Sequence, residues 1–394
     1  MKKVLKILLL AVVVAVCALG LVACGDNGGE TKTGILYKMY EGDDFYTVYG
    51  YVDEGKNVTS IDIGELNTEN VTIGRIKTGA FKDNDTLTEI IVPDTVTTID
   101  GGAFKNMKAL KSITLPFVGA SATGDATFNQ TNPEENKAVN IERTFAYIFG
   151  EDKYEGGTAI NVTYKPAASS EESTSDVRYL PLALRNVTVK NSANYKIPMY
   201  AFAGNILINS VTLSGGVDEI GEYAFSGAKA LQSVKIPATV KTINKYAFSG
   251  CVNLKDGLVF ENSASSVLTS VKEHAFDGAG LKSIELPASV IEIGENCFAN
   301  NSLLTNAVIS AENVKDAVFY NCDRLKTVTF KASVKSIGAL AFSGCDSLTS
   351  ATFEYTSFNA IGENNSSTAL SLTDAATNAT YLTDNYYAAR FVKA

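Results

Sequence analysis

The side chains able to do chemistry in this sequence are six cysteines, one histidine and scattered carboxylates. Cys251, Cys322 and Cys345 each lie three residues after a phenylalanine, in similar segments such as YAFSGC and LAFSGC. At the equivalent place other segments carry Asn84, Met107, Asn205, Ala228, Ala279 and Asn301. A position that accepts such different side chains is typical of a small, semi-buried turn site, so we expect packing thiols and not a reactive centre.

A disulfide is the alternative chemistry for two of these cysteines. Cys322 and Cys345 lie one repeat apart, close enough for a bridge if the repeats stack. We expect both to be free, because side chains stacked at one position seldom point at each other. Cys297 replaces the alanine before Phe298 and is expected to be deeply buried. The sequence contains no CxxC or Cys/His ligand spacing, so it predicts no metal site.

His274 is the only histidine, which excludes zinc sites built from two histidines and leaves one imidazole for general base catalysis. Similar segments carry Tyr223, Tyr246, Asn296 or Leu340 at its position. This favours a loop histidine without a catalytic role. The acidic runs at 41–44, 134–135 and 171–172 lack the residue order of a calcium loop. We therefore expect no enzyme activity and no cofactor.

The first 23 residues are typical of an export signal, with Lys2, Lys3 and Lys6 before an apolar run at 7–22. The run ends in LVAC, which resembles the lipobox of bacterial lipoproteins, where cleavage precedes the cysteine and its thiol is acylated. We expect Cys24 to be lipidated and the protein to be exported and lipid-anchored at the bacterial cell surface. The alternative is an ordinary signal peptide with an unmodified Cys24. Residues 24–34 are rich in glycine and polar residues, which predicts a flexible tether.

The charge balance limits the partners. Removal of Lys2, Lys3 and Lys6 with the signal takes the net charge from −9 to −12. A strongly acidic chain is repelled by phosphate backbones and anionic lipid surfaces. We expect no nucleic-acid partner, and contact with the membrane through the lipid anchor only.

Phenylalanine recurs at a nearly constant interval along the chain. It follows alanine at 81, 104, 202, 225, 248, 276 and 342, follows Cys297 at 298, and fits the series at 319. The steps 81→104, 202→225, 225→248 and 319→342 are each 23 residues. The repeating unit reads L-x-x-[IV]-x-[LIF]-P-x-x-V-x-x-I-x(4)-A-F-x-x-[CNA]-x-x-L. An interval of this size indicates stacked structural repeats.

Each unit predicts one turn of a coil. The alternation [IV]-x-[LIF] indicates a short strand with one buried face, and the following proline ends that strand because it has no N–H for the ladder. V-x-x-I turns a second apolar pair inward, and Ala-Phe places a ring in the middle of the coil. One unit cannot bury these side chains alone, but stacked units share a continuous core.

This pattern resembles the BspA-like leucine-rich-repeat proteins of bacterial cell surfaces. The resemblance implies a mainly β repeat solenoid: a right-handed coil of short parallel strands with an N-terminal β-hairpin cap and a C-terminal cap. We expect the N-terminal cap and first rung at 35–72, the repeats at 73–353 and the C-terminal cap at 354–394. The interval from Phe104 to Phe202 is 98 residues, which predicts a repeat with a long insertion at about 119–179 on the outside of the coil.

The centres of the strands are the expected binding face, on the concave side of the coil. Together with two tyrosines of the insertion that we expect to be exposed, this face comprises Thr114, Thr188, Thr212, Lys235, Glu285, Thr329, Thr352, Tyr154 and Tyr164. The resemblance implies an adhesin-like protein that binds an extracellular protein or glycan: host matrix protein, mucin or other cells. A non-adhesive scaffold lipoprotein of the envelope is the alternative. An enzyme or solute-binding protein has little support, since repeats spread residues along a rod.

Overall fold

The computed structural model describes residues 30–32, 34–52, 58–121, 141–164, 174–191, 194–331, 333–354, 357–361, 367–371 and 390–393. The expected signal peptide at 1–23, Cys24 and most of the expected tether lie outside the described residues. The predicted anchor therefore stays a prediction.

Short strands make up nearly all of the regular structure. The strands before and within the insertion are β1 (Glu30–Lys32), β2 (Ile35–Met39), β3 (Tyr46–Tyr51), β4 (Ser60–Asp62), β5 (Ile73–Ile76), β6 (Glu89–Ile91), β7 (Thr98–Ile99), β8 (Ser112–Leu115), β9 (Gly157–Tyr164) and β10 (Thr174–Pro181). The next strands are β11 (Asn186–Lys190), β12 (Tyr195–Ile197), β13 (Ser210–Ser214), β14 (Val217–Ile220), β15 (Ser233–Ile236), β16 (Thr242–Ile243), β17 (Leu258–Phe260), β18 (Ser270–Val271), β19 (Ser283–Glu285) and β20 (Glu292–Ile293). The last are β21 (Asn306–Ile309), β22 (Asn313–Val314), β23 (Thr327–Phe330), β24 (Ser336–Ile337), β25 (Ser350–Phe353), β26 (Ser357–Ile361), β27 (Ser367–Ser371) and β28 (Arg390–Lys393). Short 3₁₀ turns lie at Ile63–Leu66, Phe145–Phe149 and Ser263–Ser265.

Two walls of parallel strands form one coil of about twelve turns. The first wall begins with a seven-stranded sheet of β4, β6, β8, β11, β13, β15 and β17. It continues with a four-stranded sheet of β19, β21, β23 and β25. The second wall contains β3, β5 and β7, and then β12, β14, β16, β18, β20, β22 and β24. The predicted β solenoid is confirmed.

The repeat pattern explains each turn of the coil. In β15, Val234 and Ile236 are buried while Lys235 between them is exposed, and Pro237 follows directly after the last paired residue. Val240 and Ile243 bury the second apolar pair, with Ile243 in the second wall. Alternation therefore gives each strand an inner and an outer face, as expected.

The repeat phenylalanines form a column through the core. Phe225 lies 5.0 Å from Phe202 and 4.9 Å from Phe248 between ring centroids, with ring planes within 5° of parallel. Because these phenylalanines occupy the same position in successive turns, their rings lie face to face at about the spacing of parallel strands. Ala224 and Ala247, which precede two of these rings, are fully buried.

The turn around each phenylalanine has two residues with positive φ, and sequence reasoning missed this. The second residue before the ring has φ between 52° and 71°, at Gly79, Gly102, Tyr200, Tyr223, Tyr246, His274, Asn296, Ala317 and Leu340. The second residue after the ring has φ between 57° and 74°, at Asp83, Asn106, Gly204, Gly227, Gly250, Gly278, Asn300, Asn321 and Gly344. This conformation favours glycine, and then asparagine and aspartate. It accounts for the frequent Ser-Gly and Asn after the phenylalanine.

The insertion leaves the coil and returns to it. Strands β8 and β11 pair directly and in register, with Asn186 beside Ser112. Residues 116–185 therefore separate these two repeat strands along the chain without breaking the sheet. Strands β9 and β10 form a separate antiparallel hairpin. The 3₁₀ turn Phe145–Phe149, however, enters the core, where Phe149 packs on Phe104 at 6.3 Å and Phe145 packs on Phe202 at 5.1 Å.

The expectation that the whole insertion lies outside the coil is therefore wrong for the 3₁₀ turn. Phe145 and Phe149 are both buried, and their rings lie 5.3 Å apart. They fill the place of one repeat phenylalanine and join the column of the first turns to that of the later ones. A deletion of 119–179 would open the core at this point.

Antiparallel strands close both ends. At the N-terminus β1, β2 and β3 are antiparallel, and β3 then pairs in parallel with β5. Because β1 lies within 24–34, part of the expected tether is a strand. At the C-terminus β26 and β27 form a hairpin, and β28 pairs with both β26 and β24. These elements agree with the two predicted caps.

Candidate functional site

The predicted binding residues of the strands lie in two straight lines, which we call the strand-centre column. In the first block each residue pairs with the next, in the order Asp62, Ile91, Thr114, Thr188, Thr212, Lys235, Val259. In the second block the order is Glu285, Val308, Thr329, Thr352. The structure thus brings together the seven strand residues named from the sequence, although in two groups.

The local strand pattern directs these side chains away from the core. Each lies between two inward-facing residues, as Thr212 lies between the buried Val211 and Leu213. Lys235, Glu285 and Thr352 are exposed, whereas the other threonines are half-buried. Partial burial follows from the neighbouring turns, which flank each short side chain at about 4.8 Å on either side.

The column breaks between β17 and β19, which belong to different sheets. Here the interval from Phe248 to Phe276 is 28 residues, and the added length forms the loop that contains the 3₁₀ turn Ser263–Ser265. Leu258 and Phe260 are half-buried and Val259 is exposed. The second wall is continuous at this level, from β16 through β18 to β20. The break therefore affects only the wall that carries the column.

The charge along the column is sparse. Lys235 is its one cation, and its Nζ lies 3.9 Å from Oε1 of Glu261. Asp62 and Glu285 are the acids, and the remaining positions are hydroxyl or aliphatic side chains. This arrangement can offer hydrogen bonds at regular intervals to a long ligand. It does not gather carboxylates or nucleophiles around one point.

Of the two tyrosines predicted from the insertion, Tyr154 is not exposed as expected. Tyr154 is half-buried, and its hydroxyl is buried without a hydrogen-bond partner in the described part of the chain. Burial raises the pKa of Tyr154. The expectation that Tyr154 is exposed is wrong, because its ring packs against Gly157 at the start of β9. The side chain of Tyr164 lies outside the described residues.

The cysteine position has a structural role that sequence reasoning did not identify. Cys251, Cys322 and Cys345 are free and buried, not semi-buried as expected. The Sγ of Cys251 donates to the carbonyl oxygen of Phe225 at 3.1 Å, and that of Cys322 donates to Phe298 at 3.1 Å. Burial raises the pKa of both thiols to about 12. These side chains hold one turn to the previous one and stay protonated.

Asn301 performs the same task with an amide. Its Nδ2 donates to the carbonyl oxygens of Phe276 and Phe298, both at 2.8 Å, and its Oδ1 accepts from the N–H of Leu281 at 3.0 Å. The alternation of cysteine and asparagine at this position was the available signal, since both can donate a hydrogen bond. The expectation of free thiols at Cys322 and Cys345 is confirmed, and Cys297 is fully buried as expected.

His274 lies in a turn, as expected. Its Nδ1 is 2.9 Å from Oδ2 of Asp277, and its ring stacks on Tyr246 with centroids 4.6 Å apart. Within the residues that the structure describes, no three histidine, cysteine, aspartate or glutamate side chains are grouped as a metal site would require.

Among the described residues, no helix combines the length and the apolar character that a membrane span requires.

The chain is similar to solved leucine-rich-repeat proteins of bacteria. A leucine-rich-repeat protein from T. pallidum is 28% identical, with a TM-score of 0.36, over 41% of this chain and 77% of that one. One from Bacteroides ovatus is 21% identical, with a TM-score of 0.34, over 81% of each chain. A leucine-rich cell surface protein from Faecalibacterium prausnitzii is 17% identical, with a TM-score of 0.25, over 85% of this chain and 97% of that one. No curated protein matches the sequence.

The repeats themselves match a family model. The BspA-type leucine-rich-repeat region is found in six copies, over residues 55–154, 179–305 and 260–373. These ranges cover most of the chain and follow the two walls and the phenylalanine column. The chain belongs to the family of BspA-type leucine-rich-repeat proteins.

Proposed function

We propose that this protein is an adhesin-like surface protein whose strand-centre column binds an extracellular protein or glycan. The observation that carries the proposal is the unbroken register from Asp62 to Val259, which aligns seven outward-facing side chains. A leucine-rich-repeat solenoid is a fold typical of binding proteins without enzyme activity. Its side chains contact a long ligand along the rod, so the protein needs no deep pocket.

The threonines of the column favour a ligand that is bound by many weak hydrogen bonds, each of which adds little to the affinity. Thr114, Thr188 and Thr212 lie at adjacent turns and offer hydroxyl groups in a line. The described column lacks the tyrosine, tryptophan and arginine side chains that dominate small, tight interfaces. We therefore expect moderate affinity for one ligand molecule and stronger attachment where many copies of the protein engage one surface.

The test uses the full chain in detergent on an array of matrix proteins, mucins and glycans. We expect binding that a Thr188→Arg/Thr212→Arg variant loses, because two long charged side chains cover the centre of the column. Lys229→Ala, an exposed change on the turn side of the coil, is the matched control and should leave binding unchanged. A flat array for the unaltered chain, or equal binding by the arginine variant, contradicts the proposal.

We further propose that the protein is anchored through an acylated Cys24. The LVAC sequence after an apolar run supports this. Cys24→Ser should move the protein from the membrane fraction to the culture medium, and mass spectrometry of the native N-terminus should show acyl chains on Cys24. A processed N-terminus without lipid would contradict the anchor. Crosslinking in cells that yields only envelope partners would instead support the scaffold role.

A further inference from the structure

A second surface lies at the edge where the second wall passes into the phenylalanine turns. Tyr200, Tyr223, Tyr246 and His274 occupy the same place in four successive turns, and we call them the tyrosine ladder. Their ring centroids are 5.1, 4.8 and 4.6 Å apart, and successive planes lie within 6° of parallel. Nothing in the repeat requires this arrangement, since the same place holds Gly79, Gly102, Asn296, Ala317 and Leu340 in other turns.

The ladder has a conformational cost that glycine would avoid. Its four residues have φ between 53° and 59°. Side chains other than glycine are disfavoured in this region, by about 1–2 kcal/mol for a residue in the left-handed conformation. Stacking of the rings offsets part of this cost. Aromatic side chains at these four turns are therefore not explained by the needs of the backbone.

Stacking determines which parts of the rings a ligand can reach. The faces of Tyr223 are covered by Tyr200 and Tyr246, so that only edges and hydroxyl groups can meet solvent. Tyr200 packs against Ile141 and Ala203, which closes the first end of the ladder. In the described part of the chain, no residue makes a hydrogen bond with the hydroxyl of Tyr200, Tyr223 or Tyr246. Tyr200 is buried, whereas Tyr223 and Tyr246 are half-buried. The ladder thus presents the phenol groups of Tyr223 and Tyr246, one turn apart.

The surroundings keep these phenols neutral and make the surface acidic. Burial, and then neighbouring charges that include Glu222 and Glu273, raise the pKa of Tyr223. Burial, followed by Glu273 and Asp277, raises the pKa of Tyr246. The phenols therefore remain hydrogen-bond donors at physiological pH. Lys245 pairs with Glu273 at 2.6 Å and neutralises part of this charge. Glu222, Glu273 and Asp277 still outnumber that lysine, so the surface beside the phenols accepts hydrogen bonds and disfavours an anionic chain.

A shallow pocket continues the ladder beyond His274. It has a volume of about 400 Å³, and its charged lining consists of four acids and three lysines: Glu273, Glu292, Glu295, Asp316, Lys245, Lys272 and Lys315. The N–H of His274 donates to the carbonyl of Glu295, and that of Asn296 donates to Asp316. The pocket therefore lies alongside the next turns of the same edge. Ladder and pocket form one polar track parallel to the axis of the coil.

We propose that this track binds a neutral polysaccharide that runs along the axis of the coil. Such a chain carries hydroxyl groups at regular intervals, each able to donate to a carboxylate and to accept from a phenol. Its lack of charge suits the acidic surroundings. A peptide fits less well, because the ladder offers ring edges and not the apolar area on which protein interfaces depend. The inference names a ligand class and a second place for the proposed binding role, and so rests on it.

The test uses the full chain in detergent with cellohexaose, xylohexaose and mannohexaose as neutral probes and a heparin hexasaccharide as the anionic one. The chain has 18 tyrosines and no tryptophan, so fluorescence reports on all 18 tyrosines, and the contribution of the ladder is the difference between the unaltered chain and a variant that lacks its hydroxyl groups. Calorimetry gives the affinity. We expect at least one neutral hexasaccharide to bind and the heparin fragment to bind at least about 10-fold more weakly, because it meets like charge.

Tyr223→Phe/Tyr246→Phe keeps the stacked rings and removes two hydroxyl groups. We expect a loss of about 10-fold or more in affinity with an unchanged melting temperature, since each hydrogen bond contributes modestly to binding. Tyr320→Phe, at an exposed tyrosine outside the ladder, is the matched control. Absence of binding by all three neutral probes, equal affinity in the double variant, or preference for heparin would each overturn the inference.

The same preparation separates this inference from the proposed function. If a protein ligand is found whose binding the Thr188→Arg/Thr212→Arg variant loses, while no neutral probe binds, the ladder inference fails and the strand-centre proposal stands. If a neutral probe binds and only the phenylalanine variant weakens it, the ladder inference stands, and the strand-centre proposal fails only if the arginine variant also binds every array ligand as the unaltered chain does.

Discussion

The two sides of each turn of this coil differ in how much their residue types vary from turn to turn. On the turn side, a phenylalanine recurs with a small residue before it and a positive φ two residues away in both directions. On the strand side, the column places threonine, lysine, glutamate, valine and isoleucine at equivalent positions. Both sides share the same spacing from turn to turn. The difference is burial: the side chains of the turn side are fixed by the core, whereas those of the strand side face outward and are free to vary.

The largest effect is expected when one ring is removed from the phenylalanine column. Phe248→Ala should lower the free energy of unfolding by about 3–5 kcal/mol, because it leaves a cavity between two stacked rings. Urea unfolding of the full chain, followed by circular dichroism, measures the loss. Val259→Ala, an exposed change in the column, is the control and should stay within about 0.5 kcal/mol. Similar losses in the two variants would mean that the two sides do not differ.

A second change tests the hydrogen bonds between turns. Asn301→Ala should destabilise the protein by about 2–3 kcal/mol, because the N–H of Leu281 and the carbonyl of Phe276 lose a buried partner. Cys322→Ala removes a single weaker bond from Sγ and should cost about 1 kcal/mol. Thermal unfolding of both variants gives the ranking. Equal costs would show that the position depends on size and not on hydrogen bonding.

A substitution at a turn residue with positive φ should have a third, smaller effect on stability. If alanine replaced Gly250, the added Cβ would lie 3.7 Å from Gly227, which is an ordinary contact distance. The φ of residue 250, however, is 71°. Gly250→Ala should therefore cost about 1 kcal/mol through backbone strain alone. Gly215, with an ordinary φ and open space around it, is the matched control. Gly215→Ala should be neutral or slightly stabilising. A neutral Gly250→Ala would contradict the assigned role of this turn.

The smallest effect is expected in the strand-centre column. Thr212→Ala should change the free energy of unfolding by less than about 0.5 kcal/mol, because the side chain faces outward and a surface change removes little packing. Differential scanning calorimetry of the purified chain checks this. A loss as large as that of Asn301→Ala would show that the column is structural and weaken its assignment as a binding face.

Most of the fold could be predicted because the repeat encodes it many times. Period, strand position, the stop at proline and the inward Val-x-x-Ile pair all follow from spacing and side-chain type, and the structure has them at Val234, Pro237 and Ile243. The line of strand-centre residues follows from the same spacing. A pattern of hydrophobicity reports burial, and in a repeat protein burial determines the architecture.

The features that escaped prediction depend on backbone angles and on breaks in the pattern. A tyrosine such as Tyr246 does not indicate a positive φ from its residue type, whereas the glycine at 250 did indicate one. Phe145 and Phe149 enter the core through a short turn whose spacing differs from the repeat, so the periodic pattern could not place them. Tyr154 was taken as exposed from its place in an insertion, whereas packing against Gly157 buries it.

The register of the walls also has an evolutionary meaning. Phe225 and Phe248 occupy the same place in adjacent turns and are separated by one 23-residue unit. A gene duplication or deletion of one such unit changes the length of the rod but leaves every remaining strand with the same kind of neighbour. The length of the rod can therefore change in steps of about 4.8 Å per turn without redesign of the core or the caps.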